Sequence, residues 1–261
     1  MRYALGVEYQ GWPYRGFQRQ AGQVTVQGEL ERILAAVCAQ HVEVTCAGRT
    51  DAGVSATGQV IHIDIGRERS ADNLLLGCNA LLPPDIAITW AQAVSGDFHA
   101  RFSAISRRYR YLIHNTRGRP AVMGRGLTVC HGHYDVELMN ECAQLLLGEH
   151  DFSSFCSADE QSRTRRRCVQ QVQVGRCGDY IVLDISANAF LNRMVRNIMG
   201  TLLLVGSGRR SQAWFESVLA ARSRPAAGPA APPGGLYLVS VIYPGEFDLP
   251  QRLFLGPLWL P

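Results

Sequence analysis

The 261-residue sequence contains no lysine: all 26 Lys+Arg positions are arginine. That absence excludes a P-loop, whose lysine must reach the phosphates, and any chemistry through a lysine Schiff base. The arginine bias itself is read as compositional, and the exclusion holds either way. No two of the eight cysteines (38, 46, 78, 130, 142, 156, 168 and 177) fall in a CxxC or other zinc-like spacing, so they read as scattered thiols of a reducing cytoplasm. No apolar run approaches the roughly 18 residues that cross a bilayer. The N-terminus, MRYALGVEYQ, alternates apolar and polar residues and meets Glu8 early, so it lacks the apolar stretch of a signal peptide. These absences together predict a cytoplasmic protein with no membrane partner.

What is present is ordinary globular material, 47% hydrophobic and 18% charged, with a formal net charge of +4. That charge is too mild to identify a nucleic-acid partner by itself. The length suits one large domain or two smaller ones.

Periodicity divides the first hundred residues into short elements. Tyr3, Leu5, Val7 and Tyr9 alternate as a strand, and Val26, Leu30, Ile33, Leu34 and Val37 form a helical stripe. Val42, Val44 and Cys46 predict a second strand, and Ile61, Ile63 and Ile65 a third beginning near Gln59 after a Gly-rich loop. A helix over 70–82, ended by Pro83 and Pro84, precedes a strand through Ile86, Ile88 and Trp90. The order is βαββαβ.

A similar order recurs from about residue 106: a strand at Tyr109 to Ile113, a helix at Val136 to Leu147, and strands at Val169 to Val174 and Ile181 to Ile185. Helices at Phe190 to Val205 and Trp214 to Ala221 and a strand at Leu236 to Tyr243 complete it. The expected fold class is α+β, with two ferredoxin/RRM-like βαββαβ units whose largely antiparallel sheets flank a cleft. The expected boundaries are 1–105 and 106–261. Two segments read as loops or spacers: the basic run QSRTRRRC (161–168), and RSRPAAGPAAPPGG (222–235), too rich in Pro and Gly for helix or strand.

Between the second and third strands lies AGRTDAGVSATG. Gly48, Gly53 and Gly58 allow open backbone geometry, so Arg49, Thr50 and Asp51 project from strand ends. Local chemistry alone favours an Asp51 that hydrogen-bonds its own loop, the common fate of Asp next to Gly.

The stretch GRTDAGVSATGQVIHID, however, resembles the signature of the tRNA pseudouridine synthase A (TruA) family, as do YQGWPYRGFQRQ, NALLPPDI, FHARFSAISRRYRYLI, HDFSSF, NAFLNRMVRNIMG and AAPPGGLYLVSVIYP. Nearly the whole chain is covered. Ser55 stands where the family commonly has His, and Phe17 where it commonly has Trp.

The resemblance implies an isomerase that converts uridine to pseudouridine at positions 38, 39 and 40 of the tRNA anticodon stem-loop, cofactor-free and as a homodimer. It makes Asp51 the catalytic carboxylate and Arg49 the side chain that helps turn the base out. Tyr109 becomes the ring that stacks on the target base, Leu236 the apolar residue on the pocket's other side, and Arg196 the cation that keeps the carboxylate ionised. Arg19, Arg101, Arg107, Arg108, Arg110, Arg163, Arg165 and Arg166 are the candidate phosphate contacts.

Two other readings stay open at this stage. A non-catalytic binding module of two RRM-like sheets would want an RNP-type aromatic motif, which is missing. An Asp-nucleophile hydrolase would want a second acid or base, which no spacing here clearly offers.

Overall fold

The computed structural model describes residues 1–122, 124–158 and 162–250. The chain folds as two compact units. One holds residues 1–107 together with the described residues from Tyr237 onward, and the other holds Arg108–Leu236. The last strand, although last in chain order, lies from Tyr237 onward in the first unit.

The first unit runs β1 (Arg2–Tyr9), α1 (Val26–Cys38), β2 (Thr45–Cys46), β3 (Ser55–Asp64), α2 (Ala71–Asn79) and β4 (Ile86–Val94), as periodicity predicts. Both β4 and β3 pair antiparallel with β1. The final strand, β10 (Leu236–Ile242), joins β3 in parallel, Tyr237 opposite Ser55 and Leu238 opposite Ala56. Gly58 is required by that approach, because a Cβ there would lie 2.2 Å from the Val239 carbonyl oxygen.

Strand β1 is buried on both faces. Tyr3, Leu5 and Val7 are covered, and Ala4 packs in a cluster with Ala47, Val60, Phe98, Ala100 and Tyr243. Caps fix the helices: the Thr25 hydroxyl accepts from Gly28 N, and the Ser70 hydroxyl from Asn73 N.

The expected strand at Val42 to Cys46 shrinks to two residues. Val44 N donates to the Glu31 carboxylate, and Gln27 Nε2 donates to the Val44 carbonyl, so helix side chains take the groups a ladder would use. Conversely β3 starts at Ser55, four residues before the expected Gln59, absorbing the last third of the Gly-rich loop.

The second unit contains β5 (Ser106–Asn115, whose first two residues lie in the first unit), β6 (Thr128–Cys130), α3 (Val136–Gln144), β7 (Gly148–Asp151), β8 (Arg166–Cys177), β9 (Tyr180–Ala187), α4 (Met194–Gly206) and α5 (Gln212–Ala221). Strand order is β5-β9-β8-β7, with β6 parallel to β5. The short strands β6 and β7 carry too few residues to show a period.

Strand β8 begins inside the basic run, Arg166 opposite Asp151 and Cys168 opposite Glu149; Gln161 lies outside the described residues. Helix α4 begins at Met194 instead of Phe190, because Arg193 adopts a left-handed conformation, φ 60°. The Pro/Gly-rich segment is no spacer. Gly228 N donates to Thr201 Oγ1 and Ala231 N to the Arg196 carbonyl, which straps the segment along α4. A Cβ at Gly200 would lie 1.8 Å from the Pro229 carbonyl oxygen.

Candidate active site

The loop that carries Asp51 is clamped from several sides within the first unit. Thr50 is buried, its Oγ1 2.8 Å from the Tyr9 hydroxyl, and its carbonyl accepts from Phe17 N at 3.0 Å. Gln59, wholly buried, donates through Nε2 to the Gly48 carbonyl at 2.7 Å, and its Oε1 accepts from Gly48 N at 3.4 Å. Val54 N closes the turn on the Asp51 carbonyl at 3.1 Å. Gly16 takes φ +95° against this loop, where a Cβ would meet the Thr50 carbonyl oxygen at 3.0 Å. A half-buried Asp51 beside an exposed Arg49 sits on this frame.

The two departures from the resembled motif are both parts of the clamp. Ser55 is buried, and its Oγ accepts from Gly11 N at 2.9 Å. Phe17 is buried with its ring centroid 5.9 Å from that of Tyr9. Burial pushes the Cys46 thiol up to about 11, with Arg49 acting in the opposite direction, so Cys46 is a protonated, inert neighbour at neutral pH.

In the second unit the alternation of β5 is as expected. Tyr109 and Tyr111 are both buried, while Arg108 and Arg110 converge on Asp184 of β9, Arg108 through two hydrogen bonds of 2.6 and 2.7 Å and Arg110 through one of 2.7 Å. The Tyr109 ring packs edge-on against Phe190 at 4.9 Å. The Tyr111 hydroxyl donates to the Pro232 carbonyl at 2.6 Å, and burial raises its pKa; it holds the strap.

Arg196 is half-buried in the first turn of α4, and its Nε donates to the Ala231 carbonyl at 2.9 Å. With its own carbonyl accepting from Ala231 N, Arg196 is tied to the strap at both ends. Leu236 is buried directly after Gly235, whose carbonyl accepts from Leu112 N at 2.8 Å.

The arginines named as phosphate contacts fall into different classes. Arg107 is buried, and its guanidinium donates to the carbonyls of Ala47, at the foot of the Asp51 loop, and of Ala104 and Arg101. Arg108 and Arg110 share the single carboxylate of Asp184, Arg19 pairs with Glu31 at 2.9 Å and Arg166 with Glu149 at 2.8 Å. Arg101 and Arg163 are exposed, and Arg165 is half-buried. Sequence reasoning missed Thr50 and Gln59 as builders of the loop; the signal was a polar residue, Gln59, directly before the apolar Val60 and Ile61. Among the described residues no three His, Cys, Asp or Glu side chains gather as a metal site, and no helix is long and apolar enough to cross a membrane.

Comparison with known proteins bears on this arrangement. A family model described as tRNA pseudouridine synthase matches residues 6–103 and 142–244. The chain is 55% identical to the tRNA pseudouridine synthase A of Aeromonas hydrophila subsp. hydrophila, over 100% of this chain and 97% of that protein. It is 52% identical to the protein of that name from Shewanella amazonensis, over 100% of both, and 51% identical to that from Vibrio vulnificus, over 100% of this chain and 98% of the relative. One solved structure, of a Cbf5-Nop10-Gar1 complex, matches at TM-score 0.36 and 14% identity over 77% of this chain and 45% of that one. Matched from end to end at better than half identity, with the Asp51 loop inside the matched region, the chain belongs to the tRNA pseudouridine synthase family.

Proposed function

We propose that the protein isomerises uridine to pseudouridine at positions 38, 39 and 40 of the anticodon stem-loop of tRNA, with the Asp51 carboxylate as the catalytic group. The N1–C1′ bond breaks, the base turns, and C1′ joins C5. The C5 proton is lost and N1 is protonated, so no redox partner or energy source is consumed. A carboxylate serves this reaction either by forming a covalent adduct or by assisting a glycal-like intermediate. The observation that carries the proposal is the clamped loop, in which Thr50, Gln59 and Ser55 fix the backbone on either side of Asp51. Such preorganisation is what a positioned catalytic group requires.

The other roles follow the family resemblance: Arg49 turns the base out, Tyr109 and Leu236 receive it, and Arg196 favours the ionised carboxylate. The strap supports the last role by holding Arg196 through both its backbone and its side chain. The same resemblance proposes a homodimer, and a cytoplasmic location is proposed with it.

The test uses unmodified tRNA transcript tritiated at uracil C5. Wild type releases tritium and Asp51→Asn does not, while both bind the RNA. Equal release from both proteins removes Asp51 from the mechanism. Binding without release by wild type leaves an RNA-binding module.

A further inference from the structure

Phe102 is 75% exposed, although the segment around it is held by buried neighbours and hydrogen bonds. Phe98 and Ala100 are fully buried on either side of His99. Ala100 N donates to His62 Nδ1 at 3.1 Å, and the Ala100 carbonyl accepts from the Tyr243 hydroxyl at 2.6 Å. Both Arg101 N and Phe102 N donate to His99 Nδ1 at 3.2 Å, and Ser103 N donates to the His99 carbonyl at 2.9 Å. The Arg101 carbonyl is held by the buried Arg107. Backbone bonds therefore fix the turn while the phenyl ring stands in water.

The ring is not alone. The His99 imidazole lies 4.3 Å from its centroid at 34°, and the Arg101 guanidinium carbon sits over the ring at 5.5 Å. His99 in turn touches the buried His62 ring at 4.8 Å. Burial and the neighbouring Arg2 lower the His99 pKa, so its imidazole is neutral at pH 7 and does not repel Arg101. A single exposed apolar side chain is ordinary. An exposed ring on a hydrogen-bonded turn, backed by one flat group and flanked by a cation, is the arrangement with which proteins stack unpaired bases, the cation taking an adjoining phosphate or extending the stack.

We propose that Phe102, backed by His99 and flanked by Arg101, is a stacking platform for an unpaired nucleobase of the RNA substrate. This rests on the RNA-modifying reading above, but it uses none of the residues assigned there to the chemistry. The platform holds a nucleotide other than the one that reacts, so it contributes to binding and register.

The experiment measures the equilibrium Kd for unmodified tRNA transcript, together with KM and kcat from tritium release, for wild type, Phe102→Ala, Phe102→Leu and Phe102→Trp. Phe102→Ala raises Kd roughly ten-fold or more, and the loss falls on KM instead of kcat. Phe102→Leu, equally apolar but not flat, does not restore binding; Phe102→Trp does, and its fluorescence is quenched when RNA binds. Unfolding midpoints of all variants match wild type, since the ring supports no core. If Phe102→Ala binds as wild type does, or Phe102→Leu rescues fully, the platform is refuted. Should wild type bind RNA but release no tritium while Phe102→Ala still loses affinity, the platform stands and the isomerase reading falls.

Discussion

His62 shows how burial of one residue sets a pH limit. Its ring is buried between Phe98 and His99, with Nδ1 accepting from Ala100 N. Burial, aided by Arg2 and His99 and opposed by Asp64, lowers its pKa from the usual 6.5 to about 4. The folded state therefore prefers the neutral ring, and the unfolded chain takes up a proton first. Stability is whole above 6.5, falls as pH drops from 6.5 toward about 4, and loses no more from this residue below that. His62→Asn keeps an acceptor for Ala100 N without the titration. In denaturant unfolding, the advantage of wild type over His62→Asn shrinks between pH 7 and pH 4.5; a constant difference would show that His62 does not titrate with folding. Ser55 and Phe17 teach a different lesson at the same scale. At these two positions, where the sequence departs from the resembled motif, a buried hydroxyl and a buried ring pack around the Asp51 loop.

At the scale of elements, the strap over 228–232 and helix α4 meet backbone to backbone. Gly→Ala inside an exposed helix stabilises by about 1 kcal/mol. At Gly200 the added Cβ would collide with the Pro229 carbonyl oxygen and press on Ala231 N, so overpacking of about 1 to 3 kcal/mol or more opposes that gain. Gly200→Ala is expected to lower the thermal midpoint, and to lower activity even well below that midpoint, because Arg196 loses its Ala231 anchors. Gly175→Ala in β8 meets nothing within 4 Å, and is expected to change stability by no more than about 0.5 kcal/mol. Equal behaviour of the two variants would contradict the strap as a support. A proline-rich composition could not reveal this, since excluding helix and strand does not exclude a fixed path.

For the molecule as a whole, a net charge of +4 hides how the arginines are used. Several candidate phosphate contacts are already paired with carboxylates, and Arg107 is spent on carbonyls. RNA affinity should therefore fall with salt less steeply than a count of eight contacts would give. Arg101→Gln or Arg163→Gln is expected to reduce the slope of log Kobs against log salt by about 1. Arg107→Gln is expected to leave the slope and lower the unfolding midpoint. Filter binding between low and physiological salt, alongside thermal unfolding, reads both; a change of slope in Arg107→Gln would return that residue to the RNA surface.

The sequence by itself determined the βαββαβ order of the first unit, the alternating Tyr and Arg of β5 and the family, because local period, capping residues and contiguous motifs are properties of neighbours along the chain. It did not determine that the last strand leaves the second half to pair with β3, that the Pro/Gly segment binds α4, or that Val42 and Val44 stay out of a ladder. Each of those depends on groups far apart in sequence: the Val239 carbonyl against Gly58, Pro229 against Gly200, and Glu31 and Gln27 taking the Val44 amide and carbonyl. Arg107 makes the same point in the candidate site. Its charge suggested phosphate, whereas only the fold shows its buried guanidinium donating to the backbone carbonyls of Ala47, Ala104 and Arg101.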